Sequence, residues 1–182
     1  MSKDFPKGVT LGYHHMGIYV SDIDRSIKWY SEMLGFKLVM KRESMRLLEV
    51  DGSAEFFDCT IAILQHGNHF LELFQIRSPN YRQFNYEHYR NECGTKHVSF
   101  FVSPLKKYNE LIDYLYEKGV KFTVGGSDKH HVQEPFEVEH HTRVFILDPD
   151  GIPIEIIGGE KPEDAYGELK PEKVNVKIRP NQ

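Results

Sequence analysis

Hydrophobic and polar positions alternate at the start of the chain. In "YHHMGIYV" (13–20) Met16, Ile18 and Val20 fall on one face of a strand, and His15, Gly17 and Tyr19 on the other. Neighbours on a strand point to opposite faces, so His14 and His15 are not expected to look into one cavity. The period then changes. In "SDIDRSIKWYSEMLGF" the residues Ile23, Ile27, Tyr30 and Leu34 form a helical stripe. Ser21 is the expected N-cap, with Asp24 as a weak capping-box partner, and Gly35 the expected stop. "FKLVMKRE", "RLLEV" and "TIAILQHG" read as strands. "HFLELFQI" closes the set, with Phe70, Glu72, Phe74 and Ile76 on one face.

The same pattern returns after residue 93. "KHVSFFVSPLKKYNELIDYLYEKGVKF" begins as a strand with His97, Ser99 and Phe101 on one face. Ser103 is the expected cap of a helix with Pro104 at its first position. Leu105, Tyr108, Ile112 and Leu115 are its stripe, and Gly119 its end. "VKFTV" follows as a strand, then two strands around Asp-Pro-Asp-Gly in "TRVFILDPDGIPIEIIGG". The offsets match between halves. His15 and His97 are 82 residues apart, and Glu72 and Glu155 are 83 apart. From histidine to glutamate is 57 residues in the first half and 58 in the second. Val20-Ser21 and Val102-Ser103 stand at equal offsets from their histidines. Such agreement marks an internal duplication.

Composition narrows the classes. With 182 residues, 40% of them hydrophobic, the chain can build one domain, or two small ones sharing a core. A net charge of −4 gives no footprint for nucleic acid or an anionic membrane, and no apolar run approaches a membrane span. No signal-peptide pattern opens the chain, and Cys59 and Cys93 make no disulfide framework, so a cytoplasmic location is expected.

The matched residues carry the candidate chemistry. A carboxylate inside "FLELF" or "IPIEII" is costly to bury unless it is paired or binds a metal. Two imidazoles and two carboxylates suit a borderline divalent ion such as Zn, Ni, Co, Mn or Fe(II), with positions left for water or substrate.

The segments "HHMGIYVSDIDRSIKWYSEMLGF", "HFLELF", "GTKHVSFFV" and "FILDPDGIPIEII" resemble the vicinal oxygen chelate superfamily, which includes glyoxalase I, extradiol dioxygenases and bleomycin-resistance proteins. The resemblance covers residues 11 to 158. It implies an α+β fold of two tandem βαβββ modules forming an open, curved barrel-like sheet. The modules would be 11–76 and 94–158, joined by a loop at 77–93 and followed by an extension at 159–182. The implied metal ligands are His15, Glu72, His97 and Glu155. Gly17 would leave room in the cavity and Tyr19 would line it. The implied function is metal-dependent proton transfer on a small oxygenated substrate, through an enolate or enediolate, with Glu72 or Glu155 as the base. An Fe(II) dioxygenase using His15, His97 and Glu155 is the alternative, and a non-catalytic small-molecule binder a third reading. A homodimer is the expected assembly.

Other groups are given plainer roles. Arg77, Arg82 and Arg90, among the aromatics of the 77–93 loop, could hold an anionic substrate group, but an external linker is favoured. His130, His131, His140 and His141 are read as a polar hairpin or lid rather than a second metal site. His66 and His69 are read as turn residues, both cysteines as packing residues, and the tail as an edge strand or an extension.

Overall fold

The computed structural model describes residues 12–50, 53–77, 97–123, 136–138 and 141–163. The chain divides into two compact units, Met1–Tyr81 and Arg82–Gln182. In the first, β1 (His15–Tyr19) leads into α1 (Ile23–Leu34), followed by β2 (Lys37–Val50), β3 (Ser53–His66) and β4 (His69–Arg77). The sheet order is β1-β4-β3-β2. β1 runs parallel to β4, and the other pairs are antiparallel.

The second unit repeats this plan. β5 (Val98–Val102) leads into α2 (Leu105–Glu117), then β6 (Phe122–Thr123), β7 (Phe136–Val138), β8 (His141–Leu147) and β9 (Pro153–Gly158). The order is β5-β9-β8-β6, with β5 parallel to β9. β6 and β7 both pair antiparallel with β8, so they run in the same direction, as two pieces of the strand that β2 forms in the first unit. Each unit is therefore a βαβββ module with an open mixed sheet, as the duplication implied.

Apolar periodicity explains the packing. In α1, Ile23 and Tyr30 are buried together with Ser26, and the helix packs on β3 and β4. Leu71, Leu73, Ala62 and Leu64, on the face of the sheet opposite Glu72, are all buried. Each such leucine contributes roughly 1.5–3 kcal/mol by leaving water. In α2, Tyr108, Ile112 and Leu115 are buried as expected, whereas Leu105, the first helical residue, is exposed. The Tyr108 ring lies directly against Gly158 of β9, and burial pushes its hydroxyl pKa well above the usual tyrosine range.

Several local expectations change. "FKLVMKRE" and "RLLEV" are one strand, because β2 pairs with β3 from Lys37↔Gln65 to Val50↔Ser53, with an irregularity between Leu38 and Met40. Pairing across a hairpin carries β3 back to Ser53, ahead of the run that starts at Thr60. The N-cap of α1 is Asp22, not Ser21: its carboxylate accepts from Arg25 N at 3.0 Å. At α2 the cap position falls on Pro104, whose side chain has no acceptor. Glu160 takes over, its Oε1 accepting from Leu105 N at 3.2 Å, while Ser103 Oγ donates to the Glu160 carbonyl. Gly35 and Gly119 end the helices with left-handed φ of 70° and 71°, which glycine adopts without strain. The Asp-Pro-Asp-Gly turn is held by Asp148, whose Oδ1 accepts from Asp150 N and Ile152 N.

Candidate functional site

In the first unit the register sets Gly17 opposite Glu72 and His15 opposite Phe70. Cross-strand partners share a face, so His15, Gly17 and Glu72 stand on one side of the sheet. His15 Nε2 lies 3.2 Å from Glu72 Oε2, with the side chains 41% and 15% exposed. In the second unit Ser99 is opposite Glu155, and His97 immediately precedes β5. His97 Nε2 lies 3.2 Å from Glu155 Oε2, with exposures of 30% and 8%. The sequence repeat is thus a geometric repeat: the same atoms of the same residue types meet at the same distance.

That distance suits shared coordination. Ligand atoms ~2.1 Å from one ion are separated by roughly 3.0 Å at an octahedral edge and roughly 3.4 Å at a tetrahedral one. Each His–Glu pair, at 3.2 Å, falls between these two spacings. Among the described residues, no group of three or more His, Cys, Asp or Glu stands together as a metal cage.

The two pairs differ in their support. Glu155 lies in β9, where every residue is buried. Its second oxygen, Oε1, has Arg143 Nη1 at 3.6 Å. Arg143 pairs in register with Ile157, two residues after Glu155, so it shares the carboxylate's face. The matching place in the first sheet, opposite Phe74, holds Ile61. The second carboxylate therefore has a guanidinium beside it where the first has an alkyl side chain. Alternation with Phe145 and Leu147 puts Arg143 on one face of its strand, and the pairing of β8 with β9 sets that face beside Glu155.

The imidazoles differ too. His14 was expected to face away from His15. Instead the two Nδ1 atoms are 2.7 Å apart, and the His14 ring stacks on Phe70 at 5.5 Å and 13°. Strand alternation does not bind His14, because β1 begins at His15. His97 is held by an edge contact with Phe145, ring centroids 5.3 Å apart, and its buried Nδ1 has no hydrogen-bond partner among the described residues. Tyr19 packs beside Phe74 on the His15 face. A Cβ on Gly17 would only touch Phe74 at 3.4 Å, so the position tolerates a small side chain. Ser99 occupies the matching place.

The remaining groups fall elsewhere. Arg77 ends β4, and its guanidinium donates to Thr60 Oγ1 at 2.7 Å and to Glu43. Thr60 Oγ1 is 3.0 Å from both Glu43 oxygens. Arg77 is thereby committed to a cluster on the face away from Glu72. It holds the Glu43 carboxyl below its ordinary range. His66 flanks its turn and donates from Nδ1 to the Gly35 carbonyl at 3.1 Å, and Cys59 is buried. His69 is its register partner across that turn. His141 begins β8 opposite Val138. Arg82, Arg90, the loop aromatics, Cys93, His130, His131, His140 and the tail beyond 163 lie outside the described residues. Among the described residues, no helix is long and apolar enough to cross a membrane.

Comparison with known proteins agrees with this architecture. A relative from Bacillus subtilis strain 168, the uncharacterized protein YwkD, is 28% identical over 148 residues, which is 79% of this chain and 93% of the relative. The crystal structure of a glyoxalase family protein from Bacillus cereus superposes with a TM-score of 0.62 at 18% identity, covering 87% of this chain and 100% of its own. The trypanothione-dependent glyoxalase I of Leishmania major gives 0.54 at 24% identity, covering 90% of this chain and 98% of its own. These structural likenesses are of fold. The family model for the glyoxalase/bleomycin resistance protein/dioxygenase superfamily matches residues 12–156, a span that runs from before β1 into β9 and takes in all four paired residues. The chain belongs to that superfamily.

Proposed function

We propose that this protein is a metal-dependent enzyme of the glyoxalase type, moving a proton on a small substrate that offers two neighbouring oxygens. The observation that carries the reading is the His–Glu pair repeated at 3.2 Å in both units. Together, His15, Glu72, His97 and Glu155 are the ligands we assign to one divalent ion, Zn, Ni, Co, Mn or Fe(II). Two neutral imidazoles and two carboxylates balance its charge and match its borderline character. When bound, the ion would chelate the two substrate oxygens and stabilise the negative charge of an enolate or enediolate.

One carboxylate must then take a proton from carbon and return it. We assign this to Glu72. Glu155 is the more buried and has Arg143 at its second oxygen, so it is held as an anchor. Glu72 is 15% exposed, with Ile61 where the other sheet has arginine, so its carboxylate can turn toward substrate at smaller cost. The fold shared with a trypanothione-dependent glyoxalase I supports a dicarbonyl–thiol adduct as the first substrate class to try.

The test begins with metal content, by mass spectrometry of protein purified without added metal at low oxygen. About one Ni, Co or Zn per chain is expected. Loaded protein should then catalyse exchange of substrate carbon-bound hydrogen with deuterated water. Glu72→Gln, whose amide oxygen can still coordinate, should lose this exchange while keeping the metal. Protein that neither contains nor takes up a divalent ion would overturn the reading. Mostly Fe(II), lost in air, with oxygen uptake on catechols would replace it by a dioxygenase.

A further inference from the structure

We propose that His14 is a positioning residue for His15, acting as a reversible hydrogen-bond partner that lets His15 change tautomer when its Nε2 takes up a metal. The inference rests on the metal reading above. It starts from the 2.7 Å approach of the two Nδ1 atoms. Two ring nitrogens so close must share one hydrogen, one ring donating and the other accepting.

Both arrangements have a use. With His14 Nδ1–H donating, the His15 proton is on Nε2 and points at Glu72 Oε2, 3.2 Å away. That arrangement satisfies the carboxylate when no cation is present. Coordination needs the opposite one: a bare Nε2, the His15 proton on Nδ1, and His14 accepting with its own proton on Nε2. Each ring keeps one hydrogen throughout, and no charge is gained or lost. The protons exchange through water, to which both rings are exposed.

A backbone carbonyl or a carboxylate beside Nδ1 would favour only the second arrangement, because it can only accept. An imidazole serves in both, so His15 keeps a partner in either state. Ring stacking of His14 on Phe70 and its edge contact with His15 hold it in place. The second unit lacks the device among its described residues, since His97 Nδ1 is buried without a partner. The two imidazole ligands would therefore be held unequally, and His15 would be the adaptable one.

The experiment compares wild type, His14→Phe and His14→Asn. Phenylalanine keeps the stack on Phe70 and removes both hydrogen-bond roles. Asparagine restores a group that can donate or accept. Two quantities are read: Zn(II) affinity by competition with a chromophoric chelator, and the His15 tautomer by nitrogen-15 NMR of the histidine rings, without metal and with Zn(II). In wild type, His15 should carry its proton on Nε2 without metal and on Nδ1 with Zn(II). His14→Phe should bind Zn(II) about ten- to a hundred-fold more weakly, the range expected for losing a ligand's hydrogen-bond partner. His14→Asn should recover most of that loss. If wild type binds Zn(II) and His14→Phe binds it equally tightly, the role of His14 is refuted and the metal centre stands. An unchanged His15 tautomer on zinc binding refutes it as well. If wild type itself takes up no Zn(II), the metal centre fails and this inference with it.

Discussion

Arg143 Nη1 stands 3.6 Å from Glu155 Oε1, while the other oxygen of the same carboxylate faces His97. A carboxylate 8% exposed is thus bracketed by an imidazole and a guanidinium. Replacing Arg143 with Met keeps the stem and removes the charge. Metal affinity should fall by about tenfold, as for other partners that orient a ligand, without global unfolding. Chelator competition, with circular dichroism as the fold control, checks this. Unchanged affinity would mean that Glu155 needs no support.

Removing one of the ligands we propose should have a larger consequence. His97→Ala and Glu155→Ala should each abolish stoichiometric metal binding while leaving the βαβββ units folded. Metal analysis after dialysis against the ion is the measurement. Full occupancy in both variants would disprove the four-ligand assignment.

The core offers a test independent of the site. A Cβ on Gly158 would fall 2.3 Å from Tyr108 Cγ and 2.7 Å from its Cβ. Tyr108 is fully buried on α2 and its Cβ is fixed by the helix backbone, so the side chain cannot simply rotate away. Gly158→Ala should therefore destabilise the protein by about 1–3 kcal/mol, the usual cost of overpacking. Urea unfolding checks it, with a shift in midpoint at unchanged slope expected.

The polar cluster on the first sheet sets a pH dependence. Hydrogen bonds from Arg77 and Thr60 hold the Glu43 carboxyl below its ordinary value of 4.5. A group whose pKa is lowered by folding adds stability above its unfolded pKa and loses it as pH falls through the folded one. Stability should therefore decline below about pH 4.5, and part of that decline should vanish in Glu43→Gln. Denaturant titrations between pH 3 and 6, to about half a unit, compare the two curves. Parallel curves would remove Glu43 from the acid response.

Much of this molecule was legible from spacing alone. Equal offsets between His15 and His97, and between Glu72 and Glu155, marked the repeat of one unit, and the structure then sets the matched residues 3.2 Å apart within each unit. Alternation put Glu72 on the face away from Leu71 and Leu73. Period 3.6 found both helices, and the glycines found their ends.

What escaped the sequence lies where a contact joins distant segments or where a regular element stops. Ser21 and Ser103 looked like caps, but Asp22 caps α1 and Glu160 reaches α2 from beyond the last strand. "FKLVMKRE" and "RLLEV" looked separate until pairing with β3 made them continuous. Strand alternation sets neighbours on opposite faces, a rule with no force on His14, which precedes the strand. The sequence by itself determined which residue types recur and at what spacing, since that follows from local periodicity and duplication. Tertiary structure decided which donor meets which acceptor. Arg143 beside Glu155, and His14 beside His15 over Phe70, depend on strand order, on the start of β1 and on side-chain packing, and no local pattern encodes those.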